Sequence, residues 1–166
     1  MGAGIWYISG NTNFVNQEDV VTRVEDALAT FQCGFNCAQS VLAAFAGDLG
    51  IPRETALKIA SGFGGGMGRM SLTCGAVTGA FMALGLKSGY SAGGDRASRE
   101  NIYQMVREFS QQFHNMHGSI ECRELLGFDI STPDGHKAAA DNKLFRTQCP
   151  RFVRDAVEMI EKLLHL

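Results

Sequence analysis

The chain has 166 residues, 45% of them hydrophobic and 19% charged, with a net charge of −2 at pH 7. That length suits one domain with a single core and is too short to expect two. The near-neutral balance, a pI near 6.1 and the lack of any Lys/Arg cluster leave no electrostatic footprint for nucleic acid.

Met1 to Thr12 mix Gly, Ile, Trp, Tyr and Asn without the basic start of a secretory signal, so residues 1–14 read as an N-terminal arm and 15–166 as one helical domain. Val15 to Phe31 opens with Asn16, Glu18 and Asp19 and then spaces Val20, Val21, Val24, Ala27, Leu28 and Phe31 at a helical period. Cys33-Gly34-Phe35-Asn36 breaks it. Asn36 is placed to cap a second helix, Cys37 to Asp48, with Ala38, Val41, Leu42 and Phe45 on its apolar face. Gly50-Ile51-Pro52 ends that helix, and Pro52 opens a third that runs through Ile59.

Next comes a run of glycines, Gly62 to Gly68, which predicts a tight loop with exposed N–H groups. It feeds Leu72 to Lys87, an uncharged run ended by Lys87 and read as a buried helix. There Gly75, Gly79 and Ala83 form a small-residue stripe that admits a close neighbour. The apolar run is short for a bilayer span of roughly 20 residues, so the expectation is a cytoplasmic protein with no membrane span. Gly89 to Gly94 turns the chain and Asp95 caps a long amphipathic helix, Arg96 to His117, which presents Ile102, Met105, Val106, Phe109 and Phe113 inward. Gly118 stops it. Glu121 to Leu126 is a short helix ended by Gly127, and Asp134 or Gly135 opens another to about Asn142. Pro150 starts the last helix, with Phe152, Val153, Val157, Ile160 and Leu164 at helical spacing. Strand-like alternation is absent beyond the first dozen residues, so the fold class is all-α: a single-domain bundle around a buried, glycine-striped central helix.

Five cysteines stand in this chain. Cys37, Cys74, Cys122 and Cys149 each fall at a helix beginning, where the partial positive charge favours thiolate or metal-bound sulfur. Cys33 lies apart from that pattern. No two form C-x-x-C, and four cysteines allow three pairings between which sequence does not choose.

Asn36-Cys37-Ala38-Gln39-Ser40-Val41, Gly62 to Gly68, Cys74-Gly75-Ala76-Val77-Thr78-Gly79, His117 to Gly127 and finally Cys149 resemble the redox-active protein family labelled C_GCAxxG_C_C. The resemblance runs from about Cys33 to Leu164. This chain spells CGAxxG where the family label spells GCAxxG. The resemblance implies that Cys37, Cys74, Cys122 and Cys149 are the functional set and that an unidentified redox partner exists, and it supplies no substrate. Some relatives carry export signals; none is seen here, which implies a cytoplasmic member.

Three function classes compete. In the first, two of the four cysteines cycle between dithiol and disulfide, or pass electrons, as an oxidoreductase would. In the second, the same four ligate zinc or an iron–sulfur cluster, with His117 as a further metal ligand; His114, three positions earlier, shares its face. The ordinary role for both histidines is to complement a helix C-terminus. The third class is a non-catalytic helical interaction module in which the cysteines, Phe63, Met67, Met70, Phe81 and Met82 are plain core. A homodimer through an apolar stripe on the last helix fits any of the three. The glycine loop, Gly64, Gly65, Gly66 and Gly68 with Arg69, is the candidate cofactor-facing element, although it lacks the lysine and hydroxyl order of a P-loop.

Overall fold

The computed structural model describes residues 21–166; the N-terminal arm and Asn16, Glu18, Asp19 and Val20 lie outside the described residues. Every named element among the described residues is helical, and the one strand-like pairing is an isolated antiparallel bridge between Thr73 and Glu121. The all-α expectation holds.

Helix α1 (Arg23–Gln32) begins later than the apolar period implies, because Thr22 closes a capping box. The Thr22 hydroxyl accepts from the Glu25 N–H at 3.2 Å, and the Glu25 carboxylate accepts from the Thr22 N–H at 2.8 Å. Two orphan donors are satisfied there, which fixes the start. Asn36 and Gln39 close a second box, both bonds at 3.0 Å, ahead of α2 (Cys37–Ala44). That helix gives way to turns after Ala44, short of Asp48. After α3 (Arg53–Ala60) and a 3-10 turn, Ser61–Phe63, comes α4 (Gly64–Met67).

Only the hydrogen bonding of α4 is helical in the ordinary sense. Gly65, Gly66, Met67, Gly68 and Arg69 have φ of 63°, 68°, 62°, 68° and 64°, a left-handed turn. Glycine adopts such angles freely; Met67 and Arg69 do so at roughly 1–2 kcal/mol each. The Leu72 N–H donates back to the Gly66 carbonyl at 3.2 Å, so the segment folds on itself before the central helix.

That central helix, α5 (Gly75–Ser88), starts at Gly75 rather than Leu72, whose side chain is exposed. The stripe works as expected. A methyl on Gly79 would sit 2.9 Å from the Ala38 carbonyl oxygen and 3.0 Å from the Val41 Cβ, so α2 lies directly on α5. Asp95 caps α6 (Arg96–His117) through the Ser98 N–H at 3.0 Å, and Gly118 (φ 84°) ends it. Then come α7 (Cys122–Leu126), α8 (Pro133–Asp141), α9 (Leu144–Thr147) and α10 (Cys149–Leu164). The start of α8 precedes Asp134 because the Thr132 hydroxyl caps it, accepting from the Gly135 N–H at 3.1 Å.

The core is built on α5, whose Ala76, Val77, Ala80, Ala83 and Leu84 are buried against α2, α6 and α10. Helix α10 buries Phe152, Val153, Ala156, Val157, Met159 and Ile160, so its apolar face turns inward. An exposed apolar stripe for a homodimer is therefore not found on that helix. Met70, read as core under the interaction-module class, is 53% exposed. No helix among the described residues is long and apolar enough to cross a membrane.

Candidate functional site

The backbone bridge at Thr73 and Glu121 sets two cysteines side by side. The Cys74 N–H donates to the Ile120 carbonyl at 2.8 Å and the Cys122 N–H donates to the Leu72 carbonyl at 2.7 Å. The Thr73 hydroxyl adds a bond to the Glu121 carboxylate at 3.2 Å. Behind them stands Gly66, where a methyl would lie 2.7 Å from the Cys122 Cβ and equally close to the backbone N and O of Leu72. Cys37 arrives as the first residue of α2, held by the Asn36 box, and Cys149 as the first residue of α10, which packs on α2 and α5.

Four elements thus bring Cys37, Cys74, Cys122 and Cys149 to one cavity of about 700 Å³, all four unbridged and only 4–9% exposed. Gly64, Gly65, Gly68 and Arg69 share the lining, and Gly66 does not, being packed behind Cys122. Cys33 is exposed at the end of α1 and is not part of the wall. His117 is also elsewhere: its ring packs 4.4 Å from that of Phe113 and 5.0 Å from that of Phe152, with Nε2 3.1 Å from the Asp155 carboxylate. His114 is exposed. Among the described residues no three His, Cys, Asp or Glu side chains are disposed to hold one metal ion.

The helix-start effect is overridden at three of the four thiols. Desolvation of the charged form pushes Cys74 and Cys122 up to about 12, even though the Ala76 and Val77 N–H groups pull Cys74 the other way. Cys37 rises well above the ordinary thiol value, first through its hydrogen bond with Cys149, then through burial and the other three sulfurs. Cys149 moves down, because the Cys37 S–H donates to its thiolate and outweighs its own burial. Little of this comes from a helix end, since Gln148 is itself in the right-handed helical region and joins α9 to α10. Cys37 and Cys149 titrate as a coupled pair, in which their interaction raises Cys37 and lowers Cys149.

A family model described as "Putative redox-active protein (C_GCAxxG_C_C)" matches residues 35–163. The chain belongs to this family. Comparison with curated proteins and with solved structures returns no match. The matched span holds Cys37, Cys74, Cys122 and Cys149 and omits Cys33, the same division the cavity makes. The swapped letters of the motif have a local reason. A Cβ at position 75 would stand 3.1 Å from the Ala38 N and the Cys37 Cβ, which leaves little room for a cysteine side chain there.

Local sequence gave no sign of the rest of the wall. Phe31, Phe35, Phe145 and Phe152 line the cavity with His136, whose ring lies 5.2 Å from that of Phe145. They come from separate elements, and α9, which carries Phe145, follows a non-glycine turn at Lys143 (φ 58°) that no glycine or proline announces.

Proposed function

We propose that this protein performs two-electron thiol–disulfide chemistry, with Cys149 as the attacking thiolate and Cys37 as the resolving thiol. What carries this reading is the placement of Cys37 and Cys149, two free thiols that open α2 and α10 in the wall of one cavity, near enough that each shifts the other's titration in opposite directions. A nucleophile needs its thiolate form, and a resolving thiol must stand within reach of the sulfur it will join. The Cys149 thiolate attacks one sulfur of an oxidised partner's disulfide, forming a mixed disulfide and releasing the first partner thiolate. Cys37 loses its proton to water and attacks the Cys149 sulfur. The Cys37–Cys149 bond forms and the second partner thiolate leaves. Two protein thiols are oxidised, one disulfide is reduced, and two electrons pass. Cys74 and Cys122, held protonated, supply a low-polarity wall.

A second reading rests on all four thiols bordering one cavity. An iron–sulfur cluster takes four cysteine ligands, and its bridging sulfides set those ligands farther apart than a single ion does. Protein purified without oxygen separates the two. Thiol chemistry predicts no stoichiometric iron or sulfide and a loss of two free thiols on mild oxidation. That loss disappears in Cys37→Ser and Cys149→Ser and persists in Cys74→Ser and Cys122→Ser. Near-stoichiometric iron with sulfide supports the cluster and overturns the dithiol reading.

A further inference from the structure

The chemistry of the wall narrows what reaches the thiols. The lining contains no Asp, Glu or Lys; besides the four cysteines, Arg69 and His136 are its titratable side chains. Arg69 is exposed and His136 half-buried, so both are open to an incoming molecule. The N-terminal turns of α2 and α5 also border the cavity through Cys37 and Gly75, and each brings the partial positive charge of a helix start to it. Apart from the sulfurs themselves, the charged side chain and the helix starts in the wall favour an anion. Most of the remaining surface is apolar, with Phe31, Phe35, Phe145 and Phe152 offering ring faces and edges.

The exposure of the thiols sets a size limit. At 4–9% exposure they lie below the surface, which favours a small oxidant over a disulfide embedded in a folded protein. A volume of about 700 Å³ is on the scale of small-molecule sites.

We infer that the cavity selects a small disulfide bearing an anionic group on an aromatic body, with Arg69 and His136 receiving the anion and the phenylalanines the ring. This rests on the dithiol reading above. The balance is the one given there: the small disulfide ArS–SAr accepts two electrons and leaves as two ArS⁻, while Cys149 and Cys37 become a disulfide and their protons pass to water.

The test compares two aromatic disulfides on the reduced full chain, dithiobis(nitrobenzoic acid), a dianion, and dithiodipyridine, which is neutral. Rates are divided by those of a free small thiol under the same conditions. The inference predicts a normalised rate ratio that favours the dianion, shrinks as salt is raised, and falls roughly threefold to tenfold in Arg69→Gln. It also predicts that nitrobenzoate slows the reaction with dithiodipyridine competitively, and that the disulfides of insulin are not reduced at a comparable rate. Circular dichroism and the count of free thiols establish that Arg69→Gln remains folded and reduced. Equal normalised rates for both reagents, unchanged by Arg69→Gln, overturn the inference and leave the dithiol reading standing. Rapid reduction of insulin overturns it as well. Failure of both reagents to oxidise Cys37 and Cys149 overturns the dithiol reading itself.

Discussion

Gly66→Ala, set against Gly68→Ala, measures what the glycine turn does for the site. Both glycines have φ of 68° within one loop, so alanine meets the same left-handed backbone cost at either position, roughly 1–2 kcal/mol. Their surroundings differ. An added methyl at Gly68 finds its nearest neighbour at 3.7 Å, the Gly62 carbonyl oxygen, an ordinary contact. At Gly66 it would lie 2.7 Å from the Cys122 Cβ and from the Leu72 N and O, two of which are backbone atoms that cannot rotate away. Overpacking of that kind costs about 1–3 kcal/mol beyond the backbone term. For a chain of this size each kcal/mol moves Tm by about 2–4 °C. Gly66→Ala should therefore melt about 2–12 °C below Gly68→Ala. The strain falls on the Leu72–Cys122 hydrogen bond, so Cys122 should also be alkylated faster in Gly66→Ala while Cys37 and Cys149 change less. Thermal unfolding of the reduced proteins with peptide-resolved alkylation reads both. Equal Tm values for the two variants would refute the argument that Gly66 is there to make room for Cys122.

Further outcomes follow from the caps and the titrating groups. Asn36→Ala removes the capping box and the bond from its amide to the Ser61 carbonyl at 3.0 Å; it should cost about 1–2 kcal/mol in urea unfolding and speed alkylation of Cys37. Cys74 and Cys122 are raised in the folded state, so the stability they contribute is fully present below the unfolded thiol value of about 8.5 and is lost as pH rises toward about 12; the reduced protein should lose stability across that range, less steeply in Cys74→Ala. His117 is lowered by burial against the opposing pull of Asp155. Its contribution is present above the ordinary value of 6.5 and is lost as pH falls below it, and urea midpoints should show that acid-side slope flattened in His117→Gln.

The helix plan was legible wherever a residue type has a local job. Asn36 before α2, Asp95 before α6, and Gly118 and Gly127 after α6 and α7 each act within a few positions, and each lies where the pattern placed it. Thr22 shows the limit, since a capping box overruled the apolar period that extended α1 upstream. The glycine run pointed to a tight loop, but its handedness involves Met67, Arg69 and Ser71 at positive φ, which residue type alone disfavours. The meeting of four helix-start cysteines at one cavity depends on tertiary packing; sequence supplied the set and not the contact. Thiol acidity was misjudged for the same reason. Position at a helix start is local and readable, whereas the pairing with Cys149 that wins at Cys37 and the burial that wins at Cys74 and Cys122 belong to the assembled core. His117 shared a motif with Cys122 yet faces Phe113, Phe152 and Asp155, because α6 turns it away from the cysteines.

The most direct test of the central claim is peptide mapping of the mildly oxidised protein without reduction. The dithiol account predicts one intramolecular crosslink, between Cys37 and Cys149, formed and reversed by two electrons, with Cys33, Cys74 and Cys122 recovered as free thiols. A dominant crosslink between any other two cysteines, or full occupancy of all four by iron and sulfide, would contradict it.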